Sequence, residues 1–169
     1  YVYDRLGNIQ DVKVDDVLLE HNDYGQSAGP HALTTRTLAG QPPAGYQYDA
    51  RGRQSHAPSR QVHYSDFDLP RWMGTPAGEV TFLYDAFGAR VSKAVGAEST
   101  TITLGDLYER RATTAGVEHV FYILGDGGPV AEVVYDGASG KKTARAFHRD
   151  ALGSVALVSE NDGTAKERA

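Results

Sequence analysis

The sequence contains no cysteine, and it has only one methionine and one tryptophan among 169 residues. The lack of cysteine excludes disulfide bonds, zinc–thiolate sites and a cysteine nucleophile, because all three need a thiol. No apolar run approaches the roughly 20 residues that cross a bilayer as a helix, so we expect no membrane span. The chain must therefore fold without covalent cross-links, through packing and hydrogen bonding.

Basic charge is also scarce, with 17 Lys and Arg against 22 Asp and Glu and a formal net charge of −5. A nucleic-acid surface needs basic residues clustered on one face. The densest basic sites, residues 109–111 and 141–142, are short and lie beside turn residues, which is typical of solvated strand ends. We therefore expect no nucleic-acid partner.

Glycine and tyrosine, by contrast, are abundant, with 19 and 10 copies. Glycine serves turns that need positive φ, and tyrosine suits a pleated, half-buried surface. No segment shows a 3.6-residue period over 11 or more positions, whereas short apolar runs at 100–104, 118–124 and 129–135 alternate with turn residues. The sequence predicts an all-β array of antiparallel β-hairpins with minimal helix.

A seven-residue motif, aromatic-x-Tyr/Arg-Asp-x-x-Gly, occurs four times. Its first and third positions share one face of a strand, so that their side chains can stack on neighbouring hairpins. Its aspartate can accept hydrogen bonds from backbone N–H groups two residues on, and its glycine closes the turn. The predicted structural residues are Tyr1, Tyr3, Asp4, Gly7, Tyr46, Tyr48, Asp49, Gly52, Phe82, Tyr84, Asp85, Gly88, Phe147, His148, Asp150 and Gly153.

Weaker copies around Asp23, Asp66, Asp106 and Asp126 would complete a period of about 20 residues, which predicts six to eight hairpins. We expect residues 1–169 to form a single repeat segment of a longer protein, because the first motif starts at residue 1. Residues 22–45, rich in glycine and proline, are the least regular connection, with a surface loop over 39–44. A turn at residues 161–163 should open one further hairpin beyond the chain.

The pair His148 and Asp150, with Ser154 nearby, is the strongest candidate for a catalytic relay or a metal site. Asp150 already has a turn role, so structural hydrogen bonding is the favoured interpretation. The other histidines lack the spacing of a metal motif; they include His56 and His63, and His119 beside Glu118. We predict no catalytic residue, no cofactor and no metal ion.

Aromatic faces also suit sugars, which leaves a carbohydrate-stacking platform as an alternative to core packing. The residues that could form it are Tyr1, Tyr3, Tyr46, Tyr48, Tyr84, Tyr108, Tyr122, Tyr135 and Trp72.

The motif copies resemble YD repeats, and the order of the remaining elements resembles the Rhs repeat-associated core. Those elements lie at residues 29–33, 67–70, 105–109, 129–131 and 148–155. The resemblance implies hairpins wound into a spiralling β-sheet that closes as a hollow shell, as in polymorphic toxin shells and the C component of Tc toxins. Such shells enclose a C-terminal toxin, whereas a similar shell in teneurins serves cell adhesion.

For this chain the resemblance implies a non-enzymatic structural segment of an Rhs-type β-shell that encapsulates a C-terminal toxin or effector domain for delivery to other cells. The implied partners are the rest of the shell, the enclosed toxin and a secretion-system or carrier protein, and the implied setting is a secreted bacterial protein used in bacterial competition. The aspartyl autoprotease of the family lies in a DPxGLxGG-like region, expected downstream of this chain. The alternative is a bacterial surface adhesion or carbohydrate-binding module, and an enzyme completed by groups outside the segment ranks third.

Overall fold

The computed structural model describes residues 1–168, in which eighteen β-strands and no helix occur. All strand pairings shown are antiparallel and join strands that are consecutive in the chain. The predicted all-β array of antiparallel hairpins is thus confirmed. The chain divides into two compact units, Tyr1–Glu79 and Val80–Ala169, which are described separately.

The first unit starts with a five-stranded sheet in chain order. Its strands are β1 (Val2–Tyr3), β2 (Ile9–Val14), β3 (Val17–Tyr24), β4 (Leu33–Leu38) and β5 (Ala44–Gly45). Four more strands of this unit then pair in succession: β6 (Gln47–Tyr48), β7 (Gln54–Ala57), β8 (Arg60–Tyr64) and β9 (Pro70–Thr75). The backbone N–H of Tyr46 donates to the carbonyl of Thr34 at 2.9 Å, which ties the start of this second group to β4.

The second unit contains most of β10 and all later strands, paired in chain order. The strands are β10 (Gly78–Tyr84), β11 (Arg90–Val95), β12 (Ser99–Leu104), β13 (Tyr108–Thr113), β14 (Gly116–Gly125), β15 (Gly128–Asp136), β16 (Lys142–Arg149), β17 (Val155–Glu160) and β18 (Ala165–Arg168). The turn predicted at residues 161–163 joins β17 to β18, so its hairpin closes within the chain. The strands predicted at 100–104, 118–124 and 129–135 correspond to β12, β14 and β15.

Eighteen strands make more hairpins than the six to eight predicted. The estimate was wrong because a period of about 20 residues counts only turns of the aspartate type. Other hairpins, such as β12–β13 and β14–β15, have shorter turns that the period does not count. Leu104 pairs with Tyr108 in the first, and Gly125 pairs with Gly128 in the second. Within residues 22–45, irregular backbone is confined to residues 25–32 and 39–43, because β4 occupies the stretch between them.

The apolar core is small. Among the described residues, the buried apolar side chains are Val62 in the first unit and Val120 and Val134 in the second. Val120 and Val134 are directly paired across β14 and β15, which places them on the same face of the sheet. With so few buried apolar side chains, backbone ladders and cross-strand pairs must carry much of the stability.

Candidate functional site

Four turns share one hydrogen-bonding pattern built on the motif aspartate. The aspartate N–H donates to the carbonyl four residues on, and the glycine N–H three residues on donates to the aspartate carbonyl. The carboxylate Oδ1 accepts from the N–H groups two and four residues on, at 2.8 to 3.0 Å. These aspartates are Asp4, Asp49, Asp85 and Asp150. At Asp4, hydrogen bonds from the side chain and then the backbone of Asn8 lower the pKa of the carboxyl group, so the turn favours the ionised form.

The motif glycine has positive φ in every copy: +84° at Gly7, +79° at Gly52, +82° at Gly88 and +86° at Gly153. A Cβ is unfavourable in this left-handed region, which explains why the motif ends in glycine.

Replacing Gly153 by alanine should lower the free energy of unfolding by about 1 kcal/mol, because alanine must adopt the strained left-handed conformation. No atom lies within 4 Å of the position that the new Cβ would occupy, so the loss would come from the backbone alone. Urea unfolding measures it. Gly127→Ala is the matched control, since Gly127 has equal space and no positive φ. Equal losses in the two variants would show that φ is not the cause.

Two further turns adopt the same backbone pattern with other residues at the aspartate position. Ser65 replaces aspartate in one, where its Oγ accepts from Phe67 and Leu69 N–H and where Asp68, at φ +64°, replaces glycine. Glu160 takes the aspartate position in the other, with Gly163 closing the turn. The copy predicted at Asp66 is therefore one residue out of register. Ser65 takes the aspartate position, because its hydroxyl oxygen can accept the same hydrogen bonds.

The weaker copies predicted around Asp23, Asp106 and Asp126 do not form this turn. Their turns instead close through the N–H of Gly25 on the carbonyl of Ala32, through the N–H of Leu107 on the carbonyl of Leu104, and through the direct pairing of Gly125 with Gly128. Each of these segments lacks a glycine three residues after its aspartate.

The residue just before the turn ties it to the start of a preceding strand. The hydroxyl of Tyr48 donates to the carbonyl of Leu33 at 2.9 Å, and that of Tyr64 donates to the carbonyl of Gln54 at 3.0 Å. In the fourth copy Arg149 does the same through its guanidinium, 3.0 Å from the carbonyl of Pro129. This hydrogen bond accounts for tyrosine or arginine at a position where phenylalanine would serve for packing alone.

The first aromatic of the motif is less uniform. Tyr1 is exposed, as is Tyr3 at the third position, whereas Tyr46, Phe82 and Phe147 are half-buried. The ring contacts of the second unit involve other residues. Tyr108, His119, Phe121 and Tyr135 pack across β13, β14 and β15 with centroids 5.2 to 6.2 Å apart.

His148 and Asp150 do not form a relay. Nε2 of His148 lies 2.8 Å from Oγ of Ser159, while the Asp150 carboxylate accepts the N–H groups of Leu152 and Ser154. Across residues 1–168, no three His, Asp or Glu side chains come together in a way that could hold a metal ion. The same residues include no helix that could span a membrane.

A charged ladder lies on the sheet face that carries Val120 and Val134. Nε of Arg111 donates to Glu109 at 2.9 Å, and its terminal nitrogen donates to the hydroxyl of Tyr122 at the same distance. Burial raises the pKa of Tyr122, which keeps its phenol protonated. The sequence predicted solvated strand ends at residues 109–111, which is wrong for Glu109 and Arg111, because the pairing register turns both toward this face.

Large apolar residues at one end of the strands of the second unit are exposed. In an antiparallel sheet ordered as in the chain, every second turn lies at the same end of the strands. The turns after β10, β12, β14 and β16 therefore lie at one end. These turns and the strand ends beside them carry large apolar side chains. They define the apolar rim: Phe87 (97% exposed), Leu104 (63%), Leu107 (59%), Leu124 (46%) and Leu152 (92%).

The opposite end of the same strands has a different composition. Its turns, at residues 96–98, 114–115, 137–141 and 161–164, contain only small, polar or charged residues. Phe87 and Leu152 occupy the same position, two residues after the motif aspartate, and Leu6 and Phe67 take that position in the first unit. The spacing was readable in the sequence, although the exposure of these side chains was not.

Comparison with known proteins rests on structure alone, since neither a protein-family model nor a curated protein sequence matches the chain. The solved structures similar to it include the crystal structure of TcdB2-TccC3-TEV and a Tc holotoxin pore of Photorhabdus luminescens. Each match has a TM-score of 0.58 and 13% identity, and covers 88% of this chain. The chain shares the fold of a segment of these Tc toxin proteins. The resemblance to Rhs and YD-repeat proteins is therefore confirmed at the level of the fold. The chain spans only 9% of the length of each matched chain.

Proposed function

We propose that this YD-repeat segment is a structural part of an Rhs-type β-shell that encloses a toxin or effector domain. The apolar rim is the observation that carries the proposal. Its five side chains, two of them more than nine-tenths exposed, concentrate apolar surface at one end of the strands. Surface of this kind marks a site of protein contact.

The partner that fits the rim is another row of hairpins from the same protein. A wall built from successive rows of hairpins needs contacts between the rows, and apolar turn tips at one end of the strands only would make all rows stack in one direction. The charged ladder and the aspartate turns are then structural devices, and the segment acts as wall material and not as an enzyme. The enclosed domain and a delivery or carrier protein are the remaining partners, in a protein exported by a bacterium.

The test uses the full-length protein in which the segment occurs. Electron microscopy should show a hollow particle, and limited proteolysis should leave a protected domain inside it. The double variant Phe87→Ser with Leu152→Ser should make digestion of that domain about tenfold faster or more, because two large apolar contacts are lost where rows meet. An open sheet with no protected domain would contradict the proposal.

The control variant, Ala97→Ser with Ala138→Ser, alters turns at the opposite end of the strands and should leave the protected domain intact. In the isolated segment, the Phe87 and Leu152 double variant should change the free energy of unfolding by less than about 0.5 kcal/mol, since both side chains are already exposed. If the isolated segment is strongly destabilised instead, the rim stabilises the segment itself, and the proposed contact between rows fails.

A further inference from the structure

A groove in the first unit lies across the ends of β7, β8, β9 and the start of β10. It has a volume of about 590 Å³, within the range of small-molecule sites. It is lined by Trp72, the single tryptophan of the chain, and by polar residues that include His56, Arg60, Gln61 and Glu79. None of these residues belongs to the aspartate turns, so the repeat architecture alone does not explain them.

The indole of Trp72 is held flat by three neighbours. Its Nε1 donates to Oε2 of Glu79 at 2.9 Å, and the ring of His63 lies 4.7 Å away on the directly paired position of β8. Gly74 completes the arrangement. A Cβ there would lie 2.8 Å from Cζ2 of the indole and closer still to Cη2, so only glycine lets the ring lie over this part of the strand.

Polar side chains with free hydrogen-bonding groups surround this fixed ring. Within residues 1–168, the side chains of His56 and Gln61 make no hydrogen bond to protein. Both residues share the sheet face of Trp72, because His56 pairs with Gln61 and Gln61 pairs with Gly74. The guanidinium of Arg60 is already bonded to Gln54 at 2.6 Å. The groove thus combines one rigid aromatic face with an amide and an imidazole beside it.

We propose that this groove binds a saccharide, with one pyranose ring stacked on Trp72 and its hydroxyl groups bonded to Gln61 and His56. The C–H bonds on one face of a pyranose are weakly positive and pack on the negative face of an indole. Its hydroxyl groups match an amide, which donates and accepts, and an imidazole, which does either. The proposal does not depend on a shell function, because it concerns the first unit alone.

A polyproline peptide would be the competing occupant. Such peptides dock between several aromatic ridges, and Trp72 is the one aromatic among the twelve residues that line the groove apart from the imidazole of His56. A single flat ring flanked by free polar groups favours the sugar.

The single tryptophan makes the test direct. The chain should be applied to an array of immobilised mono- and oligosaccharides, and the sugar that binds should then be titrated in free form while the emission of Trp72 is followed. We expect saturable binding with a shift or quench of that emission. Trp72→Ala should abolish the array signal, and Trp72→Phe should retain part of it.

Variants around the ring separate stacking from folding. Gly74→Ala should weaken binding by about tenfold, because the new Cβ displaces the indole, and Gln61→Ala with His56→Ala should weaken it by a similar factor while leaving the indole in place. Phe67→Ala, an exposed aromatic of the same unit outside the groove, should bind as the parent chain does. Circular dichroism establishes that each variant is folded.

Two results would overturn the proposal. One is the absence of any array signal and of any change in Trp72 emission. The other is an array signal that survives in folded Trp72→Ala. A proline-rich peptide that shifts the emission where no sugar does would assign the groove to peptides instead. None of these results bears on the apolar rim, so the shell proposal is tested independently.

Discussion

Replacing Glu132 by alanine should lower the free energy of unfolding by about 3 kcal/mol. Glu132 is buried on the sheet face that carries Val120 and Val134, called the inner face below. Its Oε1 lies 2.8 Å from a terminal nitrogen of Arg145 on the directly paired position of β16. Removal of the carboxylate leaves a guanidinium whose Nε is already buried without a partner among the described residues. The uncompensated charge, more than the lost bond, sets the size of the effect. Urea unfolding of the two chains measures it.

Glu118→Ala provides the control for this variant. Glu118 lies on the adjacent strand β14 but is exposed, so its loss should cost less than about 0.5 kcal/mol. The double variant Glu132→Leu with Arg145→Leu should be more stable than Glu132→Ala, because both charges leave the face together. If Glu132→Ala and Glu118→Ala cost the same, the pair is effectively solvated and the inner face is not closed to water.

Replacing Val120 by alanine should cost about 2 kcal/mol, through lost transfer free energy and the cavity that two missing methyl groups leave. Val120 is the largest completely buried side chain among the described residues, and it is directly paired with Val134. The same unfolding measurement applies, with attention to the denaturant slope, which should stay constant if the fold is unchanged.

Val130→Ala is the matched control, since Val130 lies on the neighbouring strand with 43% of its surface exposed. Its truncation should cost less than about 0.5 kcal/mol. A loss at Val120 no larger than that at Val130 would mean that the second unit has no apolar centre and depends on its hydrogen-bonded ladder alone.

Local features of this fold were predictable because they act over five residues. An aspartate that accepts from the N–H groups two and four positions on, followed by glycine at positive φ, needs no distant partner, and Asp85 with Gly88 forms that turn. The strands around 118–135 were equally clear from their apolar runs. β13 was missed because its charged sequence is typical of a surface, although Arg111 is paired on the inner face.

Sequence alone determined that this chain is a series of antiparallel hairpins with turns at the Asp-x-x-Gly copies, since those bonds are made within each turn. Tertiary structure decided which side chains meet. The pairing of strands placed Glu132 beside Arg145 and Glu79 beside the indole of Trp72. The alternation of strand direction placed Phe87 and Leu152 at the same end of the strands. These arrangements depend on residues far apart in the chain, and no local pattern specifies them.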